Sequence, residues 1–247
     1  MRFMDVTQDG LLDGRISLRQ TADGYRAGMD AALLAAACDA RDRERVIEAG
    51  CGPGAALLAA AVRRPGALFT GVERDPAALA LAAENIGLNG LTERVTAVAG
   101  DVTQPFKTLD LKPFDAALAN PPYFDDAKAL RGPAPAKTAA WIADGGLAAW
   151  SAFLLKAVRD GGTITVIHRA DRLADILQQL GAKAGSFRIR PVQPYRDAPA
   201  KRVLVRSVKG GKAPLVLLPA LVLHETGGTH SAAAEAILRG GADLPWT

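Results

Sequence analysis

The tetrapeptide Asn120-Pro121-Pro122-Tyr123 has the residue types to grip a planar group that carries an NH2. The Asn120 side-chain carbonyl accepts a hydrogen bond from an exocyclic amine. Pro121 has no N–H to contribute, but its carbonyl can take the second amine hydrogen. Pro122 fixes its own φ and biases Pro121 away from the helical region, so the turn is stiff. Tyr123 offers a flat face for stacking, a contact of roughly 1–3 kcal/mol per base in single-stranded nucleic-acid sites. Two acceptors on the amine hydrogens favour a pyramidal nitrogen. Their effect grows as positive charge develops there in a transition state. Asn-Pro and Pro-Pro are also common turn punctuation, so the tetrapeptide alone leaves open a turn that merely ends a strand.

A second group of residues precedes it. Glu48-Ala-Gly50-Cys51-Gly52-Pro-Gly54 reads as a strand-to-helix turn whose glycines let a ligand approach the backbone at a helix N-terminus. Glu73 lies about 20 residues further on, where a carboxylate can hold ribose hydroxyls. In Gly100-Asp101-Val102, Asp101 can accept from an adenine amine and the Val102 N–H can meet a ring nitrogen. Three carboxylates at three strand ends suit a cofactor with a cationic ammonium, a ribose and an adenine, and they suit a pyrophosphate poorly. S-adenosylmethionine fits better than a nicotinamide dinucleotide. Such acids can also cap helices, and that is the reading preferred for Asp75 and Asp144.

These residues need a scaffold that brings strand ends together, and the pattern from Arg45 supplies one. Strands are expected at 45–49, 68–72, 94–99, 115–119 and 163–168. Helices are expected at 55–62, 76–88, 146–158 (closed by Asp160-Gly-Gly) and 171–180. Segments 186–192 and 203–208 read as an antiparallel pair at the sheet edge. The fold class is α/β: a Rossmann-like, seven-stranded sheet with an antiparallel last strand, a short N-terminal extension and a C-terminal appendage. The expected organisation is an N-terminal segment covering the cofactor at 1–44, a catalytic domain at 45–212 and an appendage at 213–247. Within the appendage, 215–224 is extended and 232–239 helical. The 127–138 loop, with Pro133 and Pro135, either closes over substrate or is a long surface connection.

Composition narrows the class. Of 247 residues, 49% are hydrophobic and 23% charged, which is ordinary for a globular protein. No run of about 18 apolar residues is present, so no membrane partner is expected. The N-terminus lacks the apolar block of a secretory signal. Cys38 and Cys51 have neither disulfide nor metal spacing, and the three histidines are not paired at metal spacing. A reducing cytoplasm and no metal are the expectations. Nine basic residues fall between Lys183 and Lys212 against the single Asp197, so a +8 segment sits on a body of net −4. That asymmetry points to a polyanion, or else to a charged edge that protects terminal strands.

Together, Glu48–Gly54, Glu73, Gly100-Asp101 and Asn120-Pro-Pro-Tyr123 resemble the motifs of class I S-adenosylmethionine-dependent amino-methyltransferases. Gly14-Arg-Ile-Ser-Leu-Arg-Gln20 and Asp23-Gly-Tyr-Arg-Ala-Gly-Met-Asp30-Ala-Ala-Leu-Leu34 are similar to the N-terminal segment of bacterial tRNA1(Val) adenine-N6-methyltransferases. Asn85-Ile-Gly-Leu-Asn89 and Phe124 continue the likeness. Glu48 stands where that family more often has Asp, and Thr226–Ser231 departs from its terminal pattern. The resemblance implies S-adenosylmethionine as cofactor and methylation of the tRNA adenine just 3′ of the anticodon, adenine-37. It implies Asn120, Pro121, Pro122 and Tyr123 as catalytic. It places Tyr25, Arg26 and Asp30 against the methionine part, with Gly50, Cys51, Gly52, Glu73, Arg74, Asp101, Val102 and Asn120 completing the cofactor side with Glu48. Release-factor glutamine and rRNA guanine-N2 methyltransferases use a similar grip and are the alternatives. A non-catalytic binding module is a third.

Overall fold

The computed structural model describes residues 6–22, 28–123 and 146–247. Expectations for Tyr25, Arg26, Phe124, Asp144 and the 127–138 loop lie outside the described residues. The chain opens with an antiparallel hairpin, β1 (Val6–Leu11) and β2 (Ile16–Thr21), then α1 (Met29–Ala36). Alternating units follow: β3 (Arg45–Ala49), α2 (Ala55–Arg63), β4 (Leu68–Glu73), α3 (Pro76–Leu88) and β5 (Val95–Ala99). The second half holds β6 (Phe114–Ala119), α4 (Gly146–Ala157), β7 (Val158–Arg169), α5 (Leu173–Gly181), β8 (Ala184–Gln193) and β9 (Arg202–Lys209). Two short strands, β10 (Val216–Leu217) and β11 (Leu221–Val222), and α6 (Ala232–Leu238) end it.

The sheet order is β10-β8-β9-β7-β6-β3-β4-β5, with β11 also on β8. The seven longer strands form the expected Rossmann-like sheet, in which β9 alone runs against its neighbours. Strand order reverses between β3 and β6, and at such a switch point the strand C-termini open a crevice. Two expectations are corrected. The reversed pair is not the sheet edge, because β9 slots between β7 and β8, and β10 and β11 cover the outer side of β8. The 146–158 helix ends at Ala157, and Asp160-Gly-Gly belongs to the irregular start of β7, where the register against β6 shifts. Gly161 has φ +77° there, a left-handed conformation that glycine adopts at low cost.

Local chemistry explains the elements. In α2 every residue from Ala55 to Ala61 is buried, and its alanines let it lie close against the sheet. α3 starts where the Asp75 carboxylate accepts from the Ala77 amide at 2.8 Å, with Pro76 in the first turn. One apolar cluster gathers β2, α1, α2 and the chain terminus on one side of the sheet. The other packs α4 and α5 against the opposite side.

The two asparagines noted in the sequence act as a clamp. The fully buried Asn85 accepts from the Arg19 amide at 2.8 Å and donates to the carbonyls of Arg19 (2.8 Å) and Pro53 (2.9 Å). Asn89 pairs with the backbone of Ser17 in the same way, at 2.9 and 2.8 Å. Both side chains thus pair with β2 as a neighbouring strand would, and Asn85 also ties it to the glycine loop. Asn85→Ala leaves buried backbone groups unpaired. Its expected cost is about 3 kcal/mol, a Tm lower by roughly 6–12 °C in thermal unfolding.

The 213–247 segment packs back on the body. The Trp246 indole donates to the Ala37 carbonyl at 2.8 Å, and the Leu244 amide donates to that of Ala36 at 2.9 Å. Arg63 and Arg64 both pair with Asp243.

Candidate active site

The C-terminal ends of β3, β4 and β6 wall a cavity of about 400 Å³, within the range of small-molecule sites. From the cofactor residues expected on sequence, it gathers Glu48, Gly50, Cys51, Gly52, Glu73, Arg74 and Val102. Asn120, Pro121, Pro122 and Tyr123 line the same space. Asp101 faces a separate shallow depression with Arg74, Asp75, Ala99 and Gly100. Trp150 of α4 and Ala31 of α1 also line the cavity; Ala31 falls within the Asp23–Leu34 segment, and no sequence motif pointed to Trp150. Gly50 has φ +63°, and a Cβ there would meet the Trp150 ring at 2.3 Å, so ring and loop require each other.

The three acids differ in state. Glu73 Oε2 accepts from the Gly52 amide at 2.9 Å, and Oε1 accepts from the amides of Arg74 (2.9 Å) and Asp75 (2.8 Å). Both of its oxygens are therefore oriented by backbone. Asp101 accepts from the Thr103 amide at 2.8 Å. Burial opposes its ionisation, but the Thr103 hydrogen bonds and Arg74 outweigh burial and hold its pKa below the usual range. Glu48 is only 3% exposed. Burial first and the nearby Glu73 second push its pKa well up, opposed by the Leu57 amide. Its Oε2 meets no hydrogen-bonding group among the described residues. A buried carboxyl oxygen without a partner, in the wall of an apolar cavity, suits a cationic ligand group. The ammonium of S-adenosylmethionine is such a group, and the Glu73 carboxylate suits its ribose hydroxyls. Burial also raises the Cys51 thiol well above its ordinary value, so it stays protonated and offers no nucleophile.

On the other side of the cavity the tetrapeptide is fixed by distant residues. The Tyr123 hydroxyl donates to Asp30 Oδ2 at 2.7 Å and lies 3.0 Å from Asn120 Oδ1. Asp30 pairs with Arg202 Nε at 3.0 Å, and the Arg202 guanidinium sits 4.8 Å from the Tyr123 ring centroid. His168 packs edge-on to that ring at 4.9 Å. Asp30, expected against the cofactor, thus holds the hydroxyl of the acceptor-side tyrosine. Arg202 and His168 had no sequence signal, because β9 and β7 meet Tyr123 only in the folded sheet.

No three His, Cys, Asp or Glu side chains among the described residues are grouped to hold a metal. No helix among them is long and apolar enough to cross a membrane.

Residues 40–187 match the family model described as a methyltransferase domain. A release factor glutamine methyltransferase of Gloeobacter violaceus is 42% identical over 84 residues, 34% of this chain and 28% of that protein. A tRNA1(Val) (adenine(37)-N6)-methyltransferase of Yersinia enterocolitica is 36% identical over 107 residues, 43% of this chain and 42% of that protein. The match thus spans between about a quarter and half the length of these curated relatives. Among solved structures, a predicted O-methyltransferase of Agrobacterium tumefaciens superposes with a TM-score of 0.72 at 25% identity. The alignment covers 87% of this chain and 98% of that one.

Proposed function

The chain belongs to the methyltransferase-domain family, and from that premise we propose that it transfers a methyl group from S-adenosylmethionine to the exocyclic N6 amine of an anticodon-loop tRNA adenine, adenine-37 of tRNA1(Val) or a similar tRNA. The observation that carries this reading is the placement of Asn120 and Tyr123 in the same cavity as Glu48, whose Oε2 meets no hydrogen-bonding group among the described residues. When bound, S-adenosylmethionine supplies an electrophilic methyl group on a sulfonium centre.

The residues of the chain then do the following. Glu48 faces the ammonium and Glu73 the ribose hydroxyls. The Tyr123 phenol has a single hydrogen, and its shorter contact is with the Asp30 carboxylate. The Asn120 carboxamide, which lines the cavity beside that phenol, can present Oδ1 to the cavity. Oδ1 and the Pro121 carbonyl then accept the two amine hydrogens and aim the nitrogen lone pair. Arg202 lies over the Tyr123 ring, and that ring is the aromatic surface offered to the base. S-adenosylmethionine held there would supply its methyl group to that nitrogen, and the cationic amine so formed would lose its proton to water. No side-chain base is required, in keeping with the Cys51 thiol, which burial holds protonated.

A glutamine side-chain amide of a release factor is the second reading, supported by the relative from Gloeobacter violaceus. Mass spectrometry of tRNA and of release factor, each incubated with enzyme and labelled S-adenosylmethionine, separates them. The expected product is N6-methyladenosine. N2-methylguanosine, methylglutamine or an O-methylated product would each replace the reading.

The Tyr123 series tests the hydrogen-bond network. Tyr123→Phe should lower kcat about tenfold, since a hydrogen bond to a charged group is worth roughly 1.5–3 kcal/mol. Tyr123→Ala, which also removes the stacking face, should cost a further tenfold or more. Wild-type turnover in the Phe variant would remove the hydroxyl from the mechanism.

A further inference from the structure

The basic segment noted in the sequence does not form one patch. Arg190 is bound to the carbonyls of Pro219 and Pro245, Arg202 to Asp30, Arg206 to Asp39 and Lys209 to Asp160. Lys183 and Lys212 lie beside the Ala184–Lys209 end of the β8–β9 pair, the end away from the cavity. At the cavity end, where Val192 pairs with Arg202, only Arg196 and Lys201 are exposed with no ion pair among the described residues.

The same end carries three rings. Tyr195 is 47% exposed, and its ring centroid lies 5.6 Å from that of His224 at 41°. His224 in turn lies 5.2 Å from the exposed His230 at 31°. The column is held from behind. The His224 amide and its Nδ1 both reach the Pro194 carbonyl at 3.0 Å. His224 and His230 face each other across an antiparallel bridge, and His230 Nδ1 is 3.2 Å from Glu235. Rings that served only to pack the tail would be covered, whereas both ends of this column face solvent. The exposed acids of the two turns are Asp197 and Glu225, while Glu235 is taken up by His230 and Arg239.

The column continues from the cavity. Arg202 covers Tyr123, the adjacent Lys201 amide bonds to the Val192 carbonyl, and two residues on Pro194 carries His224. From β6, which delivers Asn120, to β8 is three strand steps of about 4.8 Å, or ~14 Å. That is the length of about four stacked nucleotides at ~3.4 Å each.

We propose that Tyr195, His224 and His230, flanked by Arg196 and Lys201, form a docking ridge for unpaired RNA nucleotides that flank the methylated base. This rests on the tRNA reading above. Aromatic rings stack on any base, and the two free cations meet phosphates, so binding is mainly by stacking with a shallow salt dependence. Two phosphate contacts predict a log–log slope of about −1.4.

The test uses the full chain with unmodified tRNA and, separately, a trinucleotide centred on the target adenine, too short to reach the ridge. Tyr195→Ala and His230→Ala should each raise the KM for tRNA by roughly 5- to 100-fold, the range for loss of one stacked base. Turnover number, S-adenosylmethionine affinity and activity on the trinucleotide should stay within about twofold of wild type. His230→Phe, which keeps a stacking face, should retain tRNA affinity. A wild-type KM for tRNA in both alanine variants would overturn the ridge while leaving the adenine reading intact. Equal losses on tRNA and trinucleotide would also overturn it. If the wild-type chain methylates no RNA, the adenine reading falls and the ridge with it.

Discussion

Asn120→Ala is expected to lower methyl transfer by about 10²- to 10³-fold while the affinity for S-adenosylmethionine changes by no more than about threefold. The magnitude follows from what the amide does. In the proposed reaction it would help aim a weakly nucleophilic amine, with an acceptor that strengthens as charge develops on nitrogen. Removing one such preorganised group typically costs that much. Cofactor affinity should survive because Glu48 and Glu73 stand on other strands, β3 and β4. Single-turnover rates beside calorimetric titration of cofactor separate the two effects. Turnover within about threefold of wild type would exclude the tetrapeptide as the methyl-accepting site.

The second large effect is one of pH. Burial and the neighbouring Glu73 push the Glu48 pKa well up, so the free protein ionises this carboxyl at higher pH than an ordinary glutamate. A bound ammonium opposite Oε2 favours the carboxylate. Binding should therefore release a proton, and affinity should rise with pH, by at most about tenfold per unit, until the free-state pKa is passed. Titrations in buffers of different ionisation enthalpy read the proton directly. In Glu48→Gln the release should vanish and affinity at neutral pH should fall about tenfold or more. The same shift gives a stability prediction of opposite sign. A carboxyl whose folded pKa is raised contributes stability at low pH that is lost as pH climbs from the unfolded value toward the folded one. The slope is at most about 1.4 kcal/mol per unit. The ligand-free Glu48→Gln protein should lack that slope and unfold at higher temperature than wild type in mildly alkaline buffer. An unchanged buffer dependence would place the ammonium elsewhere.

Both effects turn on residues visible in the sequence, but not for every reason visible there. The glycine turn after β3, the acids Glu48 and Glu73 and the Asn120 turn are local patterns, and an α/β chain that alternates strand and helix must carry them to one edge of its sheet. The N-terminal hairpin was not legible, because Ser17 and Arg19 find their pairing partners in the side chains of Asn89 and Asn85, about 70 positions away. Nor was the role of Asp30. It meets Tyr123 across 93 positions and Arg202 across 172, and no periodicity spans such separations.

By itself, then, the sequence determined the alternation of strands and helices from Arg45 and the motifs carried at the ends of β3, β4 and β6. Only the tertiary structure decided the state of those residues. Glu48 resists ionisation in the free protein because the sheet buries it beside Glu73. Tyr123 has its hydrogen committed because α1 and β9 converge on it. The basic segment is split because β8 and β9 run in opposite directions and carry their charges to opposite edges. Short-range patterns specify elements, but protonation and hydrogen-bond partners depend on which distant elements become neighbours and on how much water they exclude.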